Sequence, residues 1–483
     1  MNRKYFGFLV SVLTVLSFVL TACVAPAPPP AAPAAPPAAA EAQPAAAAEP
    51  QFANVPPAGS FPAGTKIRLL QWSHFVPRYD TWFDAFAQDW GKQVGVDVTV
   101  DHVNLTELAP ALTAALDAGE GPTMVEMVIA AGSFVEGVQD LTDVHQKAQD
   151  LFGEEIATCV QSSYLPALDK FYGYCHGWIP DPGNYDIKEW TAVGYPNGPS
   201  TWAELLDGGA KIKEQLGVPM GLGLSPEIDS EMAARAIIWS YGGSIQDANE
   251  NVTINTPQVV EAVKYMAELY QKTMTEEVFS WNASSNNQGL IAGELSYILN
   301  SISAYRSLQK VDAAAADNIG IVPALKGPRG DQHSSAHVWQ IYVIPNYVQG
   351  DELEAAKALL LHLSANYDQA TYNSELYNFP AYRSTVPQLY AEGGWLDSDP
   401  FGSNPADKLK VLRTAEDWVT YLGYPGPSNP AVAEVYATHV IQTMMSKVAL
   451  GQLSAEDAVA EAEVQINDIF AKWRARGLVG GGQ

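Results

Sequence analysis

Residues 66–72, Lys-Ile-Arg-Leu-Leu-Gln-Trp, begin the stretch of sequence that decides the fold. Residues 67–72 predict a strand, and the aromatic residues of 81–92 recur at helical spacing. Residues 96–100 then alternate apolar and polar side chains, which is typical of a half-buried strand. The segment therefore reads as strand, helix, strand.

The same alternation continues to residue 129. Leu108, Leu112 and Leu116 form the apolar stripe of a second helix, Gly-Glu-Gly-Pro at 119–122 ends it, and the largely apolar run 124–129 predicts a third strand. This order predicts a parallel sheet covered by helices, so the fold class is α/β. Loops at the carboxyl ends of such strands are the usual ligand site.

Helix boundaries further along the chain are marked by capping residues. Thr201 and Thr256 each stand just before an apolar periodic segment, and Ser454 precedes the C-terminal helix. We expect helices to begin directly after all three.

Composition limits the class of protein. The chain has 483 residues, and 47% of them are hydrophobic, enough for a large buried core. Its 27 Lys+Arg against 54 Asp+Glu give a formal net charge of −27. This balance argues against nucleic-acid partners, because binding phosphates needs a basic surface.

The first residues predict that the protein is exported from the cytoplasm. Asn2-Arg3-Lys4 is basic, 5–20 is almost wholly apolar, and Leu-Thr-Ala-Cys closes the segment at Cys23. The pattern resembles a bacterial lipoprotein signal, so we expect 1–22 to be removed and Cys23 to be lipidated. The apolar run is shorter than the ~20 residues that a membrane span needs.

An Ala/Pro-rich segment follows the predicted anchor. Together with the lipidated Cys23 it forms the stretch 23–64, which has too few large side chains to offset the entropy of ordering. We expect it to tether the body to the cell membrane, with no other membrane contact.

Short motifs along the body stand in an order typical of one family. They are residues 66–72, 119–122, 199–205 (Pro-Ser-Thr-Trp-Ala-Glu-Leu), 239–243 (Trp-Ser-Tyr-Gly-Gly), 291–294 (Ile-Ala-Gly-Glu) and 379–382 (Phe-Pro-Ala-Tyr). From about residue 66 to 475, the chain resembles the family 1 extracellular solute-binding proteins of bacterial ABC importers, which are maltose-binding-protein-like, sugar-binding lipoproteins. The resemblance implies a two-lobed, type II-like periplasmic-binding-protein fold with a ligand cleft between lobes joined by crossover hinge strands.

The resemblance also implies lobe boundaries. The N-terminal α/β lobe would comprise 66–178 plus 326–377, and the C-terminal α/β lobe 179–325 plus 378–477. The crossovers would lie near 174–180, near 319–325 and around Asn378. The chain departs from the family at 178–186, Trp-Ile-Pro-Asp-Pro-Gly-Asn-Tyr-Asp, where many members carry a tyrosine-asparagine strand, so the ligand's identity is not inherited.

The function implied is capture of a mono- or oligosaccharide and its delivery to the permease subunits of an ABC importer. We expect a monomer without catalytic residues, cofactor or metal. Two alternatives remain open: a surface-anchored enzyme acting on polysaccharide, and a receptor for a non-sugar solute such as a polyamine or peptide.

Sugar recognition needs flat aromatic platforms for C–H faces, and acids and amides for hydroxyls. Tryptophans in polar loops and polar residues near the predicted cleft meet this need, whereas Trp82, Trp90, Trp202 and Trp473 keep helical spacing and are predicted core. The candidate ligand-binding residues are Trp72, His74, Phe75, Glu126, Trp178, Asp181, Trp239, Tyr241, Trp281, Asn282, Asn300, Trp339, Tyr382 and Arg383.

Cysteine and histidine spacing yields two further expectations. An oxidising exterior favours a disulfide between Cys159 and Cys175 over two free thiols. His333 and His337 are four residues apart, a spacing that could hold a metal on a helix. Their neighbourhood is turn-like, however, and argues against a shared helical face.

Overall fold

The computed structural model describes residues 59–129 and 131–481. The predicted signal, lipidated Cys23 and most of the predicted tether lie outside the described residues. The strands of the described chain are β1 Thr65–Trp72, β2 Val96–Val103, β3 Met124–Met127, β4 Tyr164–Leu165, β5 Lys170–Phe171, β6 Tyr174–Ile179, β7 Gly183–Asp186, β8 Tyr297–Leu299, β9 Ile319–Val322, β10 Ser334–Ser335, β11 Val338–Val343, β12 Phe379–Pro380 and β13 Val419–Thr420.

Helices connect and cover these strands. They are α1 Pro77–Val94, α2 Leu108–Ala118, α3 Thr142–Phe152, α4 Ala157–Ser163, α5 Ile187–Ala192, α6 Trp202–Leu216, α7 Ile228–Ser240, α8 Pro257–Thr273, α9 Ser285–Ile291, α10 Ser303–Val311, α11 Ala313–Asp317, α12 Gly350–Ala365, α13 Tyr367–Asn373, α14 Pro387–Tyr390, α15 Ala415–Trp418, α16 Pro430–Ala437, α17 Val440–Ala449 and α18 Ala455–Arg474.

The predicted β-α-β-α-β order at the start of the body is confirmed. Gly119 ends α2 with a φ of 69°, a left-handed conformation that glycine adopts without steric cost. The side chains of Thr201, Thr256 and Ser454 accept hydrogen bonds from the backbone amides of Glu204, Val259 and Asp457, so all three predicted caps are confirmed.

A six-stranded sheet organises the larger body, in the order β12-β6-β11-β3-β1-β2. β1 runs parallel to β2 and β3, whereas β11 returns late in the chain and pairs antiparallel with both β3 and β6. Every residue of β3, β6 and β11 is buried. Helices α1, α2 and α12 pack on the sheet and account for this burial.

A second, three-stranded sheet has the order β8-β7-β9, and both of its pairings are antiparallel. β7 lies at its centre, where Tyr185 stands opposite Tyr297 and Gly320. Helices α5, α9 and α11 contact its strands, and α17 packs against α7, α8 and α18 in the same part of the chain. The molecule therefore has two separate α/β layers.

Three chain segments link the two layers. The first is the short turn 180–182 between β6 and β7, and the second is 323–337 between β9 and β11. The third leaves α13 through Glu375 and Leu376, passes β12 and reaches the C-terminal helices. Glu375 and Leu376 have φ values of 57° and 66°, so the backbone is left-handed at two successive non-glycine residues.

A disulfide lies beside the first of these links. Cys159 of α4 and Cys175 of β6 are bonded, with a Cα–Cα distance of 5.6 Å and a separation of 16 residues. Both side chains are fully buried. The crosslink therefore ties the outer helix α4 to the strand that leads into the second layer.

Among the described helices, we find none that is both long enough and apolar enough to cross a bilayer. The tryptophans predicted to be core are buried at 90, 202 and 473. Trp82 is half-buried and stacks on Phe86, with ring centroids 4.8 Å apart.

Replacing Cys159 and Cys175 together by Ser should lower the free energy of unfolding by about 3 kcal/mol. The reason is that a crosslink spanning 16 residues restrains the unfolded chain. Urea denaturation of the double variant, compared with wild type in the presence and absence of reductant, measures the effect. Reduced wild type should match the variant, and alkylation of both cysteines in unreduced, unfolded wild type would contradict the pairing.

Candidate functional site

The two layers meet around His337, which lies directly before β11. Its Nδ1 is 3.3 Å from Oδ1 of Asp181 and 3.8 Å from Oδ1 of Asp229. His337 is 1% exposed, Asp181 0% and Asp229 5%. Because an ionised carboxylate only accepts hydrogen bonds, the proton of a neutral His337 ring belongs on Nδ1.

Backbone contacts hold Asp181 and His337 together. The amide of His337 donates to the carbonyl of Ile179 at 2.8 Å, and the hydroxyl of Ser334 donates to the carbonyl of Asp181 at 2.9 Å. The first and second links between the layers are therefore hydrogen-bonded to each other at this point.

Asp229 is placed by the start of α7. Glu227 caps this helix, because its carboxylate accepts from the amides of Asp229 at 2.7 Å and Ser230 at 2.6 Å. Asn286 donates to Oδ2 of Asp229 at 3.1 Å, and Asn300 donates to Oδ1 of Asn286 at 3.0 Å. A chain of buried amides thus fixes the carboxylate from the side of the smaller sheet.

Two aromatic rings flank the histidine. The Phe75 ring, from the loop after β1, lies 6.3 Å from the His337 ring, and the Tyr377 ring lies 6.2 Å from it. We call Phe75, Asp181, Asp229, His337 and Tyr377 the junction cluster. Its members come from the β1 loop, from all three links and from α7, so both layers contribute to it.

Several buried polar atoms of the junction cluster have no hydrogen-bond partner among the described residues. They include Oδ2 of Asp181, Oδ1 of Asp229 and Nε2 of His337. Burial raises the pKa of Asp181, and the nearby His337 only partly offsets this. Burial, followed by the charges of Glu227 and Asp181, raises the pKa of Asp229 well above its ordinary value. The cluster therefore offers acceptors that the protein itself does not satisfy.

A second buried network lies under the β1 loop. Nε2 of His74 is 3.4 Å from Oε2 of Glu126, and Nε2 of His176 is 2.9 Å from Oε1 of the same carboxylate. Burial alone lowers the pKa of His74, but the charge of Glu126 and the hydrogen bond to Asp80 outweigh it and raise that pKa to about 9. Burial alone raises the pKa of Glu126, but the charge of His74 and the hydrogen bond to His176 lower it to about 2. His74 and Glu126 therefore form a charged pair.

This network continues to the surface. Nδ1 of His74 is 2.5 Å from Oδ1 of Asp80, whose other oxygen is 3.9 Å from Nδ1 of His102. Nε2 of His102 is 2.9 Å from Oδ1 of the half-exposed Asp84. Acids and histidines alternate along it, so the buried charges are compensated.

The predicted tryptophans of the larger sheet are buried in pairs. Trp72 packs on His74, with ring centroids 4.2 Å apart, and on Phe75 at 5.3 Å. Trp178 and Trp339 stand opposite each other in β6 and β11 and stack at 6.0 Å. The structure thus brings Trp72, His74, Phe75 and Glu126 together at one end of β1.

Other predicted residues lie apart from the junction cluster. Trp239 and Tyr241 are at the end of α7 opposite Asp229, roughly 18 Å away at 1.5 Å per residue. Trp239 packs on Tyr424 at 6.3 Å, and Tyr241 on Tyr265 at 5.4 Å.

The remaining candidates make local contacts. The carbonyl of Trp281 accepts from the Ser225 hydroxyl at 2.7 Å, and exposed Asn282 caps the turn before α9 by accepting from the Ser284 amide at 3.0 Å. Tyr382 is buried and donates to Glu155 at 3.3 Å, whereas Arg383 is exposed and pairs with Glu416 at 2.7 Å. Asn300 joins the amide chain behind Asp229. The roles of these residues in ligand binding stay predictions.

His333 and His337 do not face a common point. Nδ1 of His333 is 2.9 Å from the Thr420 hydroxyl, whereas His337 faces the two carboxylates. Across the described part of the chain, the geometric grouping that could hold a metal is Glu155 with Cys159 and Cys175. Its two sulfur atoms are bonded to each other and are therefore not thiolates.

Sequence reasoning missed Asp229, Tyr377 and Asn286, and it considered His337 only as a metal ligand. The sequence does contain a feature that could have identified Asp229, because two acids, Glu227 and Asp229, stand at the start of a helix. Tyr377 and Asn286 had none, since their role depends on packing between distant segments.

Comparison with known sequences identifies a family. A profile of the bacterial extracellular solute-binding proteins matches residues 81–406. The "Probable ABC transporter-binding protein" of Deinococcus radiodurans is 26% identical over 283 residues, which is 57% of this chain and 64% of that protein. The chain therefore spans less than two thirds of that relative's length.

Solved structures share the fold. Maltose-bound MalE3 of T. maritima superposes with a TM-score of 0.69 at 20% identity, covering 84% of this chain and 100% of that one. A solute-binding protein of Agrobacterium radiobacter K84 with ribitol gives 0.69 at 16% identity, covering 84% and 99%. A sugar transporter protein of Arthrobacter chlorophenolicus A6 with laminaribiose gives 0.68 at 14% identity, covering 83% and 99%. These are two-lobed periplasmic-binding-protein folds, and the two α/β layers described above are the cores of the two lobes.

Replacing Glu126 by Gln should lower the free energy of unfolding by an amount that depends on pH. A raised histidine pKa contributes stability that is complete below about pH 6.5 and disappears as pH rises through about 9. The difference in unfolding free energy between wild type and variant should therefore shrink between pH 6 and pH 10, by less than about 3 kcal/mol because Asp80 still raises the pKa of His74 in the variant. Urea denaturation across this range measures it.

Asp101→Asn is the control for this measurement, because Asp101 forms a surface ion pair with Arg68. Its effect should be small and constant over the same range. A pH-independent loss for Glu126→Gln would contradict the charged His74–Glu126 pair.

Proposed function

Because this chain belongs to the family of bacterial extracellular solute-binding proteins, we propose that it captures a carbohydrate between its two lobes and delivers it to the permease of an ABC importer. The sugar is bound and released without any change in its covalent bonds. The family is extracellular, so the protein works outside the cytoplasm.

The junction cluster is the observation that carries this proposal. Asp181, Asp229 and His337 present buried polar atoms without partners among the described residues, and they come from both lobes. A ligand reaches such atoms only when the lobes separate, and it is enclosed when they close. A ligand that contacts both lobes stabilises the closed state by its differential affinity for that state.

The chemistry of the junction cluster suits a polyhydroxylated ligand. Carboxylate oxygens accept hydrogen bonds from hydroxyl groups, and the rings of Phe75 and Tyr377 can pack on the C–H faces of a sugar. Trp72 and Asn300 lie directly behind these groups and hold them in place. The sugar- and polyol-bound structures with the same fold support this assignment.

Delivery follows from closure. The closed lobes present the permease with a surface that the open form lacks, so the importer accepts the loaded protein. We include in the proposal a lipid anchor at Cys23, a tether that keeps the body near the membrane, and a monomeric receptor.

Asp229→Asn should reduce sugar affinity about tenfold while leaving the fold intact, because it replaces one carboxyl oxygen of the buried site by an amide nitrogen (~1.5 kcal/mol). Isothermal titration against a panel of mono- and oligosaccharides measures the affinity, and chromatography of the recovered sugar tests for turnover. Ligand at 100 times its Kd should stabilise wild type by about 2.7 kcal/mol in thermal unfolding.

The matched control is Asp207→Asn, an exposed carboxylate of α6 that pairs with Lys211 at 2.6 Å. It should bind as wild type does. Equal affinities for Asp229→Asn and wild type would contradict the assignment of the junction cluster as the binding site. Shortened or altered sugar in the recovered fraction would show that the protein is an enzyme and not a receptor.

A further inference from the structure

Two acids of the junction cluster, Asp181 and Asp229, have oxygen atoms without a hydrogen-bond partner among the described residues. We propose that the ligand presents a protonated amino group to Asp181 and Asp229, so that the receptor takes an amino sugar or an amino polyol. This inference rests on the proposed carbohydrate function and narrows the class of its ligand.

Acids outnumber basic groups at the junction cluster. Asp181 and Asp229 face one basic ring, that of His337. The carboxylate of Glu227 caps α7 and accepts from the amide of Asp229 at 2.7 Å. Three acids therefore lie close together with one basic ring beside them.

Basic side chains do not make up the difference. Within the described chain, no Lys or Arg lies within ion-pair distance of Asp181 or Asp229. Arg235, on the same helix as Asp229, is paired with Glu231 and stacks 5.1 Å from the Tyr436 ring. The acids at the junction remain without a cationic partner from the protein.

A buried carboxylate is costly because the interior cannot solvate it, and burial accordingly raises the pKa of both acids. Both nevertheless keep a free oxygen atom, Oδ2 of Asp181 and Oδ1 of Asp229. A neutral hydroxyl could satisfy the hydrogen-bonding capacity of these atoms but would do nothing to stabilise their ionised form. An ammonium group supplies both three donors and the positive charge that stabilises a buried carboxylate.

The surroundings of these oxygens also suit a cation. The Phe75 and Tyr377 rings lie beside His337, and the negative face of an aromatic ring attracts an ammonium group. Nε2 of His337, which is buried and without a partner among the described residues, is left to accept from or donate to a neighbouring hydroxyl. An ammonium group next to a hydroxyl on the same ligand matches this combination.

Matched pairs of ligands test the inference on the purified protein at constant ionic strength. Each pair differs by an amino group in place of a hydroxyl: D-glucosamine and D-glucose, D-galactosamine and D-galactose, glucamine and D-sorbitol. Putrescine with 1,4-butanediol serves as the pair without sugar, and N-acetylglucosamine keeps the nitrogen but removes its charge. Thermal unfolding ranks the ligands, and isothermal titration gives the Kd values.

We expect at least one amine to bind ten times more tightly than its hydroxyl partner, and N-acetylglucosamine to lose this advantage. Neutral sugars binding as tightly as their amines would overturn the inference and leave the carbohydrate function standing. Binding of putrescine alone would keep the cationic site and overturn the carbohydrate function. A panel in which no amine binds overturns the inference.

Two variants locate the effect. Asp229→Asn and Asp181→Asn should each reduce the ratio of amine to hydroxyl affinity at least tenfold, whereas Asp207→Asn should leave the ratio unchanged. The ratio compares two ligands on the same variant, so a general loss of stability does not alter it. An unchanged ratio in both junction variants would overturn the inference even if an amine binds.

Discussion

Hydrogen bonds that join the links between the lobes are the constraint on which the rest of the structure depends. The amide of His337 binds the carbonyl of Ile179, Ser334 binds the carbonyl of Asp181, and β12 pairs with β6 just before them. All three links are therefore held side by side where the two lobes meet. The same contacts deliver a histidine, an aspartate and a tyrosine to one buried point.

The two buried networks of ionisable groups differ in whether each acid has a basic partner. Around Glu126, histidines and acids alternate, and each buried charge has a partner. Around His337, two acids share one ring and keep free oxygen atoms. Proteins commonly give up stability at functional sites and keep it elsewhere. The balanced network supports the β1 loop, and the unbalanced one is the site that we propose for the ligand.

Sequence patterns predicted the elements of this fold better than the site between them. The apolar periods that mark β1, α1 and α18 are local, so they can be read from a short window. The pairing of Trp178 with Trp339 is not local, and two tryptophans that look like loop platforms in the sequence are a stacked pair inside the larger sheet. Trp239 lies near the C-terminal end of α7, and its role in binding stays a prediction.

Asp229 shows why the candidate site was hard to predict from the sequence. A carboxylate near a helix start is normally a solvated cap, and here Glu227 takes the capping role and leaves Asp229 to point elsewhere. What makes it a candidate for ligand binding is its approach to His337, 108 positions later in the chain. Such an approach depends on the topology of the two lobes and produces no periodic pattern in the sequence.

The late return of β11 has a consequence for how the chain is made. β11 lies between β3 and β6, so the central gap of the larger sheet stays open until residue 343 has been synthesised. Until then, the edges of β3 and β6 expose unpaired backbone groups that invite pairing with other chains. This delay suits a chain that must leave the cytoplasm. For most of its translation the chain lacks a completed core, so it can still pass through an export channel in an unfolded state.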